Sequence, residues 1–176
     1  MTRSVLLLRA VNVSGHNLVP MARLREVLAA GTDLTNVSTY IASGNIICDT
    51  PADAGSTSAR VRALIVDEFD VDTPVIARTH GELVASLEQQ PFTDGVEKLV
   101  HAMFLAGPAA DGAEEALVPR LLPEERIALV GDDLWIDYAS GAGKTKLTRA
   151  VLEKALGVAG TARNLRTVRT LIERTA

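Results

Sequence analysis

The stretch that decides the fold is Thr39-Tyr40-Ile41-Ala42-Ser43-Gly44-Asn45-Ile46-Ile47. Its apolar ends flank Ser43-Gly44-Asn45, which is a turn sequence, so the segment predicts a β-hairpin with strands at residues 37–42 and 46–49. Two strands joined by so tight a turn must be antiparallel, because a parallel pair needs a long crossover connection. The hairpin therefore argues against a doubly wound parallel sheet.

The elements on either side of this hairpin give a β-α-β-β-α-β order over residues 1–80. In chain order they are a strand at residues 4–11, a helix at 20–30 that Pro20 opens and Gly31 caps, the hairpin, a helix at 58–69 and a strand at 74–78. This is the ferredoxin-like order, which predicts a four-stranded antiparallel sheet with helices on one face. Dinucleotide binding would require a Gly-rich turn after the first strand, and the sequence has none there.

The second half of the chain partly repeats this order. Its predicted elements are a connecting helix at residues 81–90, a strand at 99–105, a helix at 114–122, a hairpin at 126–130 and 134–138, a helix at 146–156 and a final helix at 165–172. A helix stands where a fourth strand is expected, so we predict an α+β protein of two ferredoxin-like lobes, the second one incomplete. The lobes are predicted at residues 1–80 and 81–176, with a single compact domain as the alternative.

Composition predicts a cytoplasmic protein. Apolar residues make up 47% of the 176 residues, which is enough for a core, and the single Cys48 excludes an intrachain disulfide. The N-terminal apolar run stops at Arg9, too early for a signal peptide. We find no run of about 20 apolar residues that would span a membrane, so no membrane association is predicted.

The charge is unevenly distributed along the chain. Residues 143–176 contain eight basic and two acidic residues, a net charge of +6, whereas the rest of the chain carries −10. Such an asymmetry indicates an anionic partner. The alternative is that these cations lie near helix C-termini, where they balance the helix dipole and keep one face solvated.

The turn Ser140-Gly141-Ala142-Gly143-Lys144-Thr145 resembles a phosphate-binding P-loop. The Walker A spacing requires a glycine five residues before Gly143, but that residue is Tyr138, so we do not predict an NTPase. A Gly-rich turn that leads into a helix can still bind an anion through its N–H groups, with Lys144 or Lys146 adding charge. The alternative is a turn that only caps the helix.

Two groups of polar residues form the main candidate site. Arg9, Asn12 and Asn17 follow the first strand, and Ser43 and Asn45 lie at the hairpin turn. In the ferredoxin-like order the end of strand one lies near the start of strand three, so we expect the two groups to converge. Arginine offers a fork for phosphate or carboxylate, and the amides offer donors and acceptors. The alternative is that these side chains only hydrogen-bond the loop backbones.

A further candidate is the start of the final helix. Thr161 is a natural N-cap, and Arg163 and Asn164 follow it in the first turn, where free N–H groups attract anions. Arg163, Arg166 and Arg169 recur every three residues. Arginines at this spacing are expected either to contact phosphates or to form a solvated helix face. His16, His80 and His101 lack metal-ligand spacing, so no metal site is predicted.

Three blocks of the sequence resemble one family. They are residues 6–21, the hairpin at residues 39–47, and Thr161-Ala162-Arg163-Asn164-Leu165-Arg166-Thr167-Val168. Together they are similar to the family called domain of unknown function 1697, over essentially the whole chain. The chain departs from it at Ala10 and Ser14, where the family prefers Gly, and at Leu165-Arg166, where it prefers Trp-Asn. The resemblance implies a two-lobed α+β fold related to ferredoxin-like units and no established activity.

The function predicted from these features is binding of an anionic or phosphorylated ligand, with a nucleotide or a nucleic acid among the candidates. The scarcity of aromatic residues disfavours recognition of single strands by stacking. One alternative is an enzyme on a small metabolite, in which Arg9, Asn12 and Asn45 position the substrate. The other is a structural or partner-binding protein. The sequence singles out no catalytic residue, cofactor or oligomeric state.

Overall fold

The computed structural model describes residues 1–51 and 53–176. By its internal contacts the chain divides into two units, each of which is described by itself. Unit 1 consists of Met1–Leu83 together with Leu171–Ala176, and unit 2 consists of Val84–Thr170. Among the helices in the described ranges, none is long and apolar enough to cross a membrane.

Unit 1 is built on a four-stranded antiparallel sheet. Its elements are β1 (Thr2–Leu8), α1 (Met21–Gly31), β2 (Thr35–Tyr40), β3 (Asn45–Thr50), α2 (Ala54–Phe69), β4 (Val75–Thr79) and the start of α3 (His80–Gln89). The strand order is β2-β3-β1-β4. Leu6, Leu8 and Ile46 of the sheet are fully buried in one apolar cluster with Leu28 of α1 and Ile65 of α2. The predicted hairpin is confirmed, because β2 and β3 pair with Tyr40 opposite Asn45.

Unit 2 has the same order of elements. They are the rest of α3, β5 (Val100–Leu105), α4 (Ala113–Leu117), β6 (Arg126–Val130), β7 (Asp133–Asp137), α5 (Arg149–Leu156), β8 (Gly160–Asn164) and α6 (Leu165–Thr175), the end of which belongs to unit 1. The four strands are antiparallel in the order β6-β7-β5-β8. Leu105 and Ile136 of the sheet pack with Leu117 of α4 and Leu156 of α5. The antiparallel α+β class is therefore confirmed in both units.

The prediction that the second lobe is incomplete is wrong. Gly160–Asn164, which was expected to lead into the final helix, forms β8 and pairs with β5 at the sheet edge. Its sequence, Gly160-Thr161-Ala162-Arg163-Asn164, has no apolar run, and its first residue packs closely against β5. A Cβ on Gly160 would lie 2.6 Å from Cε of Met103. Pairing with β5 thus overrides the low strand propensity of this segment.

Two helices in unit 2 are shorter than predicted. The helix expected from residue 146 begins at Arg149, because the Thr148 side chain accepts a hydrogen bond from the Val151 N–H (3.3 Å) and so caps it. The helix expected over residues 114–122 is α4, which passes into a 3₁₀ turn at Val118–Arg120 with Pro119 inside it. Proline lacks the N–H that would continue an α-helix.

Gly44 joins the hairpin turn to β1 at very close range. Its carbonyl accepts a hydrogen bond from the Leu8 N–H (2.8 Å), and its φ is +86°. A Cβ at this position would lie 2.7 Å from Cβ of Leu8 and 2.9 Å from Cγ2 of Val11. Only glycine fits here, both for its backbone and for the space available.

We expect Gly44→Ala to destabilise the protein by about 3 kcal/mol, since it adds overpacking to an unfavourable φ. Gly15→Ala is the matched control, because Gly15 also has a positive φ (+78°) but its Cβ would meet no atom within 4 Å. It should cost only about 1 kcal/mol. Urea unfolding of both variants measures the difference, and equal losses would show that the contact with β1 does not matter.

Candidate functional site

The Asn12 side chain ties together two connections of unit 1, residues 9–20 between β1 and α1 and residues 41–44 between β2 and β3. We call these two segments the Asn12 loops. Nδ2 of Asn12 donates to the carbonyls of Val19 (2.9 Å) and Ala42 (2.8 Å), and its Oδ1 accepts from the Val19 N–H (2.8 Å). The bond to Ala42 confirms the predicted convergence of the two loops.

Two other asparagines also bond loop carbonyls. Nδ2 of Asn17 donates to the Ala10 carbonyl (3.0 Å). Nδ2 of the fully buried Asn45 donates to the Tyr40 carbonyl (2.9 Å) and to Oγ of Ser43 (3.2 Å). The donors of all three predicted site asparagines are thus directed at the loops themselves.

The backbone of Arg9 is held by a residue that the sequence did not single out. The Arg9 N–H donates to Oγ1 of Thr73 (3.0 Å), and the same hydroxyl donates to the Arg9 carbonyl (2.7 Å). Thr73 is buried and lies 64 positions along the chain. No pattern in the sequence links these two residues, because only the folding of β4 beside β1 brings them together.

The backbone of residues 10–14 alternates in handedness. Ala10, Asn12 and Ser14 have φ of 51°, 54° and 49°, whereas Val11 and Val13 are not among the residues with positive φ. The segment closes on itself through the bond from the Asn12 N–H to the Asn17 carbonyl (2.9 Å). Such strained L-residues concentrate at functional sites. The sequence signals for this geometry are Asn12, Gly15 and Asn17, residue types that tolerate positive φ.

The alternation leaves hydrogen-bond donors without partners. Within residues 1–51 and 53–176, the N–H groups of Ala10 and Val11 make no hydrogen bond, while the carbonyls of Arg9 and Ala10 are bonded to Thr73 and Asn17. Successive N–H groups in backbone of alternating handedness turn toward one side and form a concavity that suits anions. The start of the Asn12 loops therefore offers two donors, the N–H of the exposed Ala10 and the N–H of Val11, a residue that is only 1% exposed.

The predicted residues of the Gly-rich turn lie in unit 2. Lys144 ends a 3₁₀ turn (Ala142–Lys144), and both Lys144 and Lys146 are exposed. The expectation that this turn leads directly into a helix is wrong, because α5 begins only at Arg149. The N–H groups of the turn are therefore not the first turn of a helix, and the helix-dipole part of that argument does not apply to Gly143.

The predicted residues at the start of the final helix divide between two elements. Thr161 and Arg163 lie in β8 and are buried, and Nη1 of Arg163 donates to Oγ1 of Thr161 and to the Ala162 carbonyl (both 2.9 Å). Burial lowers the pKa of Arg163 to about 10. Thr161 is not the N-cap as predicted. Asn164 caps α6, since its Oδ1 accepts from the Thr167 N–H (2.9 Å).

The side chains of Cys48 and His101 are shielded from water, and this shifts their pKa values. Cys48 is fully buried, and burial raises the pKa of its thiol to about 12, far from the range of a reactive thiolate. Burial also lowers the pKa of His101, whose ring packs edge-on against Tyr138 at 5.1 Å. The described part of the chain contains no group of three or more His, Cys, Asp or Glu residues placed to hold a metal ion.

Asn12→Ala is expected to lower the free energy of unfolding by about 2–3 kcal/mol, because it leaves the Val19 N–H and two carbonyls without partners. The matched control is Asn17→Ala, which removes a single exposed bond and should cost about 0.5–1 kcal/mol. Chemical denaturation of both variants checks this order. Equal costs would mean that Asn12 does not hold the two loops together.

We expect the Cys48 thiol to resist a disulfide reagent at pH 8 in the native protein and to react rapidly in concentrated guanidinium chloride. The reason is that the buried thiol stays protonated far above this pH. Spectrophotometric thiol titration with and without denaturant measures both rates. Rapid stoichiometric reaction of the native protein would contradict the burial of Cys48.

Comparisons with known proteins agree on the fold and leave the activity open. A family profile described as "Protein of unknown function (DUF1697)" matches residues 1–135. The solved structure titled "The structure of conserved bacterial protein SP0830 from Streptococcus pneumoniae" is similar with a TM-score of 0.78 and 21% sequence identity, over 99% of each chain. At this identity the likeness concerns the fold alone. A search of curated proteins found no significant match.

Proposed function

We propose that this chain, which belongs to the DUF1697 family of proteins of unknown function, binds an anionic, phosphate-bearing ligand at the Asn12 loops. The observation that carries the proposal is the pair of unpartnered N–H groups at Ala10 and Val11, beside carbonyls that are already hydrogen-bonded. A phosphate oxygen is a strong acceptor and supplies what these donors lack.

The charge around these donors also favours an anion. Residues 9–25 contain Arg9, Arg23 and Arg25 and no acidic residue, and residues 36–48 contain no charged residue at all. Arg23 is paired with Glu26 and Glu68, so its charge is largely balanced. Nη1 of Arg25 donates to Oγ1 of Thr39 (2.6 Å) at the end of β2. Arg9 adjoins the two donors, and its guanidinium fork suits phosphate.

The predicted site residues then divide by role. Asn12 and Asn17 hold loop carbonyls, Asn45 holds the Tyr40 carbonyl and the Ser43 hydroxyl, and Arg9 contacts the ligand. Asn17 matters most among the amides, because it holds the Ala10 carbonyl in place beside the two donors. In unit 2, Lys144, Lys146, Thr161, Arg163 and Asn164 stay predicted ligand residues. The exposed lysines are the alternative place for a nucleotide or a nucleic acid, to be tested against the Asn12 loops.

We also infer that each unit is a ferredoxin-like lobe. The β-α-β-β-α-β order and the strand order β2-β3-β1-β4, repeated as β6-β7-β5-β8, support this assignment. The domain bounds 1–80 and 81–176 stay predictions, and so does the cytoplasmic location, which the buried free thiol of Cys48 supports.

Isothermal titration with inorganic pyrophosphate tests the function and the place of binding together. We expect binding to the intact chain that weakens as salt is raised. Arg9→Gln should raise the Kd about tenfold, since a charge-assisted hydrogen bond contributes roughly 1.5–3 kcal/mol. The control is the double variant Lys144→Gln with Lys146→Gln, which removes two exposed cations of unit 2 and should bind as the unaltered protein does.

Each result of this titration decides between the two places. A loss in the lysine variant with none in Arg9→Gln would move the anion to the Gly-rich turn of unit 2. No heat and no shift of the melting temperature with millimolar pyrophosphate would refute the proposed function. Melting curves of the three proteins without ligand show whether any loss of binding comes from unfolding.

A further inference from the structure

An exposed apolar surface lies on the Asn12 loops. Val13, Leu18 and Ile41 are 54%, 60% and 49% exposed, and we call them the apolar trio. The other two β-branched aliphatic residues of these loops, Val11 and Val19, are buried. Neighbouring aliphatic side chains left open to water mark a contact surface more often than chance exposure does.

The Asn12 amide fixes where the apolar trio lies. Val13 follows Asn12 directly, Leu18 precedes Val19, and Ile41 precedes Ala42. The Asn12 side chain is hydrogen-bonded to both backbone groups of Val19 and to the Ala42 carbonyl. Val13 is thus adjacent in the chain to Asn12 itself, and Leu18 and Ile41 are each adjacent to a residue that the Asn12 amide hydrogen-bonds. The amide therefore links the backbone beside all three members of the trio.

Ile41 is held in an unfavourable backbone conformation. Its φ is 49°, in the left-handed region that β-branched residues rarely adopt. Asparagine or glycine would fit this turn position with less strain. An isoleucine that is strained and also half exposed contributes nothing to the core, and its apolar side chain needs another explanation.

We infer that the apolar trio contacts the base of a nucleoside phosphate whose phosphate is bound by the N–H groups of Ala10 and Val11. This inference rests on the proposed function and names its ligand class. Val13 lies within three residues of both donors along the first loop, and the Asn12 amide holds the neighbours of Leu18 and Ile41, so we expect one ligand molecule to span both. A heteroaromatic base offers flat apolar faces to aliphatic side chains and polar edges to the surrounding groups.

The rim of the surface favours a base over a lipid chain. The guanidinium of Arg174 lies 4.7 Å from the ring centroid of Tyr40, next to Ile41, and both Arg174 and Arg25 are exposed at the end of β2. Guanidinium planes stack on bases and donate to their edges. An acyl or isoprenoid chain needs an enclosed apolar cavity, whereas the trio stands half exposed on two turns.

Calorimetry with three probes in EDTA-containing buffer tests the inference: ADP, inorganic pyrophosphate and an isoprenoid diphosphate. ADP should bind at least about tenfold more tightly than pyrophosphate. Ile41→Asn should remove most of that advantage while pyrophosphate binds unchanged, and its melting temperature should stay equal or rise because the strain at φ 49° is relieved. Leu18→Ser provides a second variant without a backbone effect. Val118→Ser, at a valine of unit 2 that is also 54% exposed, is the matched control and should change nothing.

The outcomes separate this inference from the proposed function. If pyrophosphate binds and ADP binds no more tightly, or if neither trio variant weakens ADP, the nucleoside assignment is overturned and the anion site stands. If the isoprenoid diphosphate binds more tightly than ADP, the apolar part of the ligand is a lipid and the inference is wrong. If none of the three binds, both the inference and the proposed function fail.

Discussion

The hydrogen bonds of one asparagine side chain govern the organisation of the Asn12 loops. The Asn12 amide bonds both backbone groups of Val19 and the carbonyl of Ala42, so the connection after β1 and the turn after β2 cannot move separately. Gly44 makes a second tie, since its carbonyl bonds the Leu8 N–H and only a residue without a side chain can approach so closely. These contacts give the two connections a defined shape.

The conformation of the Asn12 loops strains the backbone and leaves two N–H groups without hydrogen-bond partners. Ala10, Ser14 and Ile41 are held in the left-handed region, where each L-residue costs roughly 1–2 kcal/mol. The carbonyls of Arg9, Ala10, Val19 and Ala42 accept hydrogen bonds from Thr73 or from asparagines, while the N–H groups of Ala10 and Val11 make no hydrogen bond in the described chain. A surface that has satisfied its acceptors and kept its donors is selective for anions. The same loops expose Val13, Leu18 and Ile41, which gives the site an apolar side.

Local patterns predicted the elements, whereas long-range contacts decided what the sequence missed. The turn at Ser43-Gly44-Asn45 predicted the hairpin correctly because its information is contained in nine adjacent residues. The strand at Gly160–Asn164 was missed because its conformation comes from pairing with β5, and its composition lacks strand-forming residues. The candidate residues were found by type and position, but their partners, such as Ala42 for Asn12 and Thr73 for Arg9, could not be. Positive φ at Ala10 and Ser14 was hidden because neither residue type favours it.

The most direct measurement of the central claim is a two-dimensional ¹H–¹⁵N NMR titration with pyrophosphate. If the unpartnered donors bind the anion, the amide resonances of Ala10 and Val11 will shift most as ligand is added, and Asn17→Ala will reduce those shifts by freeing the Ala10 carbonyl. Shifts confined to the amides near Lys144, or an unchanged spectrum, would contradict the assignment of the Asn12 loops as an anion site.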